Sequence, residues 1–369
     1  MTPIAFPRWK VQREIKRIQS QVTRRVADIY EPYIQRVHDG GFRKRVSVVH
    51  GAAKLTSRIA LLLLYQPRGL AASVGVMLDE LTSHGFSVVA VSNAPLSDRD
   101  RAMLLSRCLA VVQRPNFGYD FGGYRDGIRV VAEDFGLPDT LLIANDSIWF
   151  PLHKGDTTLA RLIEDPAPFK GLAAKLLVYK DRDNPYVQSH FMLLERPVLE
   201  STAFSDFWRN YRVSSDRFNA IRRGEMGFSA SMKAAGFDSA GLVTPHRHLD
   251  VIESADVEEL HRIVEHMVPV KDDEIALRAR LLADFQPTEG WRAGTVSELR
   301  ELIIQREHLC TTAFVYIGLR HLKVSYLKKR NEPLFAVGRI KALELADNGL
   351  IPPLAATVES ELRAVPFPR

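Results

Sequence analysis

The sequence predicts an α/β protein, a mostly parallel open sheet with helical N- and C-terminal flanks. Three observations carry this. Apolar runs without helical period alternate with segments of helical spacing between residues 59 and 145. Polar clusters follow the ends of those runs, and beyond Asp250 strand signals give way to helical patterns. The chain has 369 residues, enough for two or three domains, and its 46% hydrophobic and 25% charged residues are those of an ordinary globular protein. No apolar run reaches the length of a membrane span, and the first residues lack the hydrophobic region of a signal peptide. Cys108 and Cys310 are too far apart for a metal or redox motif and stand in apolar contexts, which fits a reducing cytoplasm.

The elements follow in order. Residues 1–50 carry eleven Lys and Arg against four acids, a net of +7, whereas the whole chain is only +6. Val11, Ile15, Ile18, Val22, Val26 and Ile29 form a helical apolar stripe, so this is a basic amphipathic segment. It suits either an anionic membrane surface, met through residues 8–45 on the inner face of the cytoplasmic membrane, or the body of the protein itself. The pI near 9.3 permits nucleic-acid binding, but no nucleic-acid motif is present. Ile59–Tyr65 reads as a strand, Val74–Leu81 as a helix, and Phe86–Ser92 as a strand running into Asn93-Ala-Pro95. Leu109–Val112 is apolar, Asn116–Gly123 supplies three glycines, and Tyr124, Ile128, Val131 and Phe135 recur at spacings of four, three and four. Thr140–Ala144 is a buried strand that ends abruptly in Asn145, Asp146 and Ser147.

Ligands of open α/β sheets gather outside the carboxyl ends of the strands. A carboxylate there suits a hard divalent cation that is also held by substrate phosphates, which makes Asp146 the metal candidate; a turn is the alternative, since Asn, Asp and Ser all favour turns. Asp120 stands at a helix start, as a cap or as a ligand. The glycines serve close backbone approach to a ligand or tight turns. Tyr65 and Asn93 fall at strand ends on the same rim.

Asn116-Phe-Gly-Tyr-Asp-Phe-Gly-Gly-Tyr124, followed by Leu-Leu-Ile-Ala-Asn-Asp-Ser-Ile-Trp-Phe-Pro151, resembles the rhamnan synthesis protein F family, with its Asn-x-Gly-x-Asp-Phe-Gly segment and Asn-Asp-Ser strand end. Val187-Gln-Ser-His-Phe-Met-Leu-Leu194, Phe204-Ser-Asp-Phe-Trp208 and Gly224-Glu-Met-Gly-Phe-Ser229 resemble later family elements in the same order, so the likeness spans roughly residues 58–245. The resemblance implies a GT-A-like, Rossmann-type fold and a glycosyltransferase of bacterial surface-polysaccharide or O-antigen assembly. It implies a nucleotide-sugar donor, often an activated rhamnose, and a lipid-linked or polysaccharide acceptor.

On that pattern Tyr65, Ser92, Asn93, Asn116, Gly118, Asp120 and Asn145 are the nucleotide-sugar side. Glycosyl transfer needs positive charge or fixed donors aimed at the departing diphosphate, and a carboxylate to take the acceptor proton. Asp146 with Mg²⁺ or Mn²⁺ answers the first need. The fold's usual pair of acids flanking one residue is here Asn145-Asp146-Ser147, which leaves room for Lys175 or Arg125 to share the work. Glu225 occupies the position where this fold commonly places its base, and Asp206 is the reserve. Gln188, Ser189 and His190 are candidates for sugar or acceptor hydroxyls, and Trp208 for stacking on a sugar or for plain packing. His246, in Pro245-His-Arg-His248 read as extended, is a second metal candidate.

The expected organisation is a basic segment 1–50, a nucleotide-sugar-binding catalytic domain 51–252, a helical domain 253–349 and a Pro-rich, loosely ordered tail 350–369. In the helical part, Ser297–Lys329 reads as one helix ending in Lys328-Lys329-Arg330, suited to packing on the N-terminal helix, a homodimer face or charge beside a membrane. The function expected is inverting transfer of rhamnose or a related deoxysugar. The rival is a catalytically silent scaffold of a polysaccharide assembly complex that binds glycan or membrane, favoured by the missing acid at position 145 or 147.

Overall fold

A computed structural model describes residues 25–366, apart from 176–177, 180–181, 184–185 and 331. Thirteen strands occur in it: β1 Ser47–His50, β2 Arg58–Leu64, β3 Phe86–Ser92, β4 Ala110–Gln113, β5 Thr140–Asn145, β6 Ile148–Trp149, β7 Phe169–Lys175, β8 Val178–Tyr179, β9 Arg182–Asp183, β10 Tyr186–Val187, β11 Phe191–Glu195, β12 Ser239–Val243 and β13 Leu327–Lys328. Nine of them form one sheet in the order β1-β4-β3-β2-β5-β11-β7-β10, with β12 also on β7. Its heart, β4-β3-β2-β5, is parallel throughout. β11 enters antiparallel between β5 and β7, and β12 runs parallel to β7.

The central strands are apolar on both faces because both faces are covered, as expected for parallel strands with crossover helices. Along β2, Leu61 and Leu63 join one core with Phe121, Tyr124 and Trp208, while Ala60, Leu62 and Leu64 join the opposite core with Leu78 and Val88. The Tyr119–Val130 helix packs closely on this sheet, and its glycines make that possible. A Cβ on Gly123 would stand 2.3 Å from Leu63 Cδ1, and one on Gly127 would stand 2.4 Å from Leu61 Cδ1. Gly123 and Gly127 thus serve helix-to-sheet packing, a use that the sequence reading of ligand approach or tight turns does not include. Gly118, at φ 85°, makes the left-handed entry to the helix.

Residues 25–40 form a helix held to the α/β body by Glu31 accepting from Ser215 N, Arg125 on Asp39 and His38 beside Asp126. Its outer face carries exposed Val26, Ile29, Tyr30, Tyr33, Ile34 and Val37. The earlier part of the apolar stripe, Val11 to Val22, lies outside the described residues. Among the described residues no helix is long and apolar enough to cross a membrane.

The C-terminal half differs from expectation at three places. The segment read as one helix to Lys329 is the helix Glu289–Gln305, then short turns, then β13, which pairs with β6. The Pro-rich tail contains a docked helix, Ala356–Ala364, whose Glu361 accepts bonds from Ser73 N and Trp149 Nε1. His246 and His248 lie on a helix, Pro245–Ser254, capped by Thr244.

Candidate functional site

A cavity of about 340 Å³ opens at the carboxyl ends of β5 and β7. Asp120 reaches it from the first turn of the Tyr119–Val130 helix, Asn145 and Ser147 from the end of β5, and Lys175 from the end of β7. Gln188, Ser189 and His190 come from the turn before β11, Glu225 from the π-helical segment Ala220–Met226, and Lys328 and Arg330 from β13 and the residues after it. This is the rim on which open α/β sheets bind ligands.

A hydrogen-bonded circuit forms the floor. Asn145 Nδ2 donates to Asp120 Oδ2 and to the Tyr124 hydroxyl, both at 3.0 Å. Tyr124 donates to the Ser189 carbonyl at 2.7 Å, and Ser189 N and Oγ donate to Glu225 Oε1 at 3.0 and 2.5 Å. Asn145 Oδ1 is used locally, by Ser147 N and Oγ. The strand-end amide thus bonds Asp120 directly and is linked through Tyr124 and Ser189 to Glu225, the other carboxyl group that faces the cavity. The Gln188 Nε2 and both ring nitrogens of His190 are buried without a protein partner beside the same space. Burial, reinforced by Lys328 and Lys175, drives the His190 pKa well below the ordinary range, so its ring is neutral.

Burial first, then the charges of Glu225 and Asp146, push the Asp120 carboxyl up to about 6 from an ordinary 3.8. The folded state therefore holds this proton more tightly than the unfolded chain does. The stability contribution is complete below the unfolded value and is lost as pH rises through the folded one. We expect Asp120→Asn to raise stability at pH 8 by about 2–3 kcal/mol and to change it little at pH 4. Thermal unfolding at the two pH values checks this, and equal melting of the two proteins at pH 8 would refute it.

Several residues expected at the site stand elsewhere. Ser92 is buried and bonds to the Ala94 carbonyl, and Asn93 Oδ1 accepts from the buried Arg114. Arg125 is engaged in a bidentate pair with Asp39, so it does not serve the cavity. Trp208 is packed in the core, stacked on Phe121 at 5.7 Å, and Asp206 is on the surface paired with Arg209. Asn116 is exposed and Gly118 is buried in the loop leading to Asp120. Tyr65 is exposed, with its backbone N–H on Asp146 Oδ2 at 2.8 Å. Arg217, Lys328 and Arg330 line the cavity unannounced by any motif.

The donor set does not fit a divalent cation held by the protein. Asp146 spends its carboxylate on the Tyr65 N–H and the Gln66 side chain, faces Lys329, and does not line the cavity. His246 is exposed on its helix, and the cavity lining does not include it. Among the described residues, no group of three or more His, Cys, Asp and Glu side chains is placed to hold a metal.

Solved structures with some likeness include the mannosyltransferase PcManGT from Pyrobaculum calidifontis, in complex with GDP-Man and Mn²⁺, at a TM-score of 0.33 and 10% identity over 92% of this chain and 93% of that one. The mannosyltransferase Ktr4p from S. cerevisiae has a TM-score of 0.28 and 9% identity over 44% of this chain, which spans 62% of Ktr4p. In sequence, the uncharacterized protein y4gN of Sinorhizobium fredii is 30% identical over 264 residues, covering 70% of this chain and 67% of its own. The model of the family described as rhamnan synthesis protein F matches residues 88–278. Its span takes in Asp120, the end of β5, the Gln188–His190 turn and Glu225, and the sheet is the open, mostly parallel α/β architecture that the sequence predicts. The chain belongs to the rhamnan synthesis protein F family.

Proposed function

We propose that this protein is a glycosyltransferase that moves a sugar from a nucleoside-diphosphate donor to an acceptor hydroxyl with inversion. Rhamnose or a related deoxysugar is the proposed sugar, and a lipid-linked or polysaccharide glycan the acceptor. One observation carries the reading: a cavity on the sheet's ligand rim that holds two oriented carboxyl groups, Asp120 and Glu225, beside unpartnered buried donors.

The donor nucleotide belongs on the parallel half of the sheet, where Asp120 and Asn145 stand. The acceptor then enters from the side of β11 and the Ala220–Met226 segment. Glu225 faces that side. As the acceptor oxygen attacks the anomeric carbon, its proton passes to Glu225, and the bond from the anomeric carbon to the diphosphate oxygen breaks on the opposite face. Ser189, bonding Glu225 through N–H and Oγ–H, fixes the carboxylate for this task. His190 and Gln188 supply hydrogen bonds to sugar hydroxyls, an exchange that ends their unpaired burial.

The test is incubation with dTDP-rhamnose and a panel of UDP- and GDP-sugars. Release of nucleoside diphosphate from at least one is expected, with the anomeric configuration of the product read by proton NMR. No release from any donor, with no nucleotide bound, would turn the reading toward the silent scaffold. A retained anomeric configuration would overturn inversion alone.

A further inference from the structure

Resting on the sugar-transfer reading, we infer that the donor diphosphate is met by Lys175, Arg217, Lys328 and Arg330, with Lys328 delivered by the β6–β13 ladder, in place of a protein-held divalent cation. The cavity wall holds these four basic side chains against two carboxyl groups, Asp120 and Glu225. That balance suits a ligand carrying several negative charges and no accompanying metal. The position beside Asp146, where two flanking acids would be needed, offers an amide and a hydroxyl already bonded to each other.

Backbone pairing explains why Lys328 is there. β13 lies antiparallel to β6, with Lys328 opposite Ile148, and Lys329 N donates to the Ser147 carbonyl at 2.7 Å. The ladder therefore begins one residue after Asp146. Side chains alternate along an extended strand, so 328 and 330 share one face and 329 takes the other. Lys328 and Arg330 line the cavity, while Lys329 Nζ donates to Ser73 Oγ at 2.7 Å and stands 5.6 Å from the centre of the Trp149 ring. Glu361 secures the same corner by accepting from Ser73 N and Trp149 Nε1. A slip of one residue would exchange Lys328 for Lys329, and the Lys329–Ser73 bond opposes that slip.

The electrostatics of the pocket agree. Lys328 is desolvated beside Lys175 and Arg330, which outweighs the pull of Glu225 and Asp120 and brings its pKa down to about 7. An incoming diphosphate supplies the counter-charge that this ammonium lacks. Preorganised cations aimed at the leaving oxygens stabilise the charge that develops as the sugar departs.

Calorimetric titration of the full chain with dTDP, UDP and GDP, in EDTA and then with added Mn²⁺, tests the inference. At least one diphosphate should bind in EDTA, with no gain from Mn²⁺. Lys328→Met should weaken that binding about 10–100-fold, as for loss of a charged hydrogen bond. Lys328→Arg should restore most of it, and the parent nucleoside should bind both variants alike. Circular dichroism and the thermal transition establish that Lys328→Met is folded. Binding that appears only with Mn²⁺ overturns the inference and leaves the transferase reading intact. A folded Lys328→Met that binds as tightly as the parent protein also overturns it. No diphosphate binding under either condition overturns both.

Discussion

Glu225→Gln is expected to lower the transfer rate by about 10²–10⁴-fold while nucleoside diphosphate binding persists. The substitution keeps the shape of the side chain and an oxygen for the Ser189 N–H and Oγ–H, so the circuit to Tyr124 and Asn145 stays closed. What disappears is the site that receives the acceptor proton. Turnover and nucleotide dissociation constant, measured on the same preparation, separate the two effects. A rate within about threefold of the parent would move the base to the other carboxyl group on the cavity, Asp120, since a lost general base costs far more than that.

The second large effect is on stability. Arg114→Met should destabilise the fold by about 3–5 kcal/mol, the usual cost of stripping one partner from a buried ion pair. Arg114 Nε donates to Asp126 Oδ2 at 2.6 Å, Nη1 to Asn93 Oδ1 at 2.8 Å and Nη2 to the Phe117 carbonyl at 2.7 Å. The Asp126 carboxylate, also bonded to His38, is held below its ordinary range despite its burial. A lowered carboxyl pKa gives stability that is present above the unfolded value and lost as pH falls through the folded one, so the deficit of the variant should shrink in acid. Urea unfolding at neutral and acidic pH measures both. Adding Asp126→Asn to Arg114→Met removes the orphaned charge and should recover part of the loss; strictly additive costs would show that the pair is not coupled.

Much of this architecture can be read directly from the chain. β2, β3 and β5 are continuous apolar runs because both of their faces are covered, and the carboxyl-end cluster Asn145-Asp146-Ser147 falls where a buried strand must stop. β7 and β12 are harder. Phe169–Lys175 mixes glycine, alanine and lysine, and its buried Lys170 is satisfied by Glu195 on neighbouring β11 together with the carbonyls of Ile163 and Asp165. The helical setting of His246 did leave a trace, since Thr244 followed by Pro245 is a cap followed by proline in the first turn. Trp208 follows from its place on the apolar face of an amphipathic helix. Lys328 and Arg330 have no local signature: a two-residue strand is specified by its distant partner β6, and only that pairing tells which lysine of the run faces inward.

That pairing also bears on how the molecule can be divided. The family pattern ends at residue 278, and a border drawn at 252 looks natural on composition, yet two cavity-lining cations lie at 328 and 330. A fragment trimmed to the recognisable region would retain the amide circuit and both acids while shedding half of the positive charge around them. A comparison of relatives over the matched region alone would leave out the two residues to which half of the proposed grip on the diphosphate is assigned.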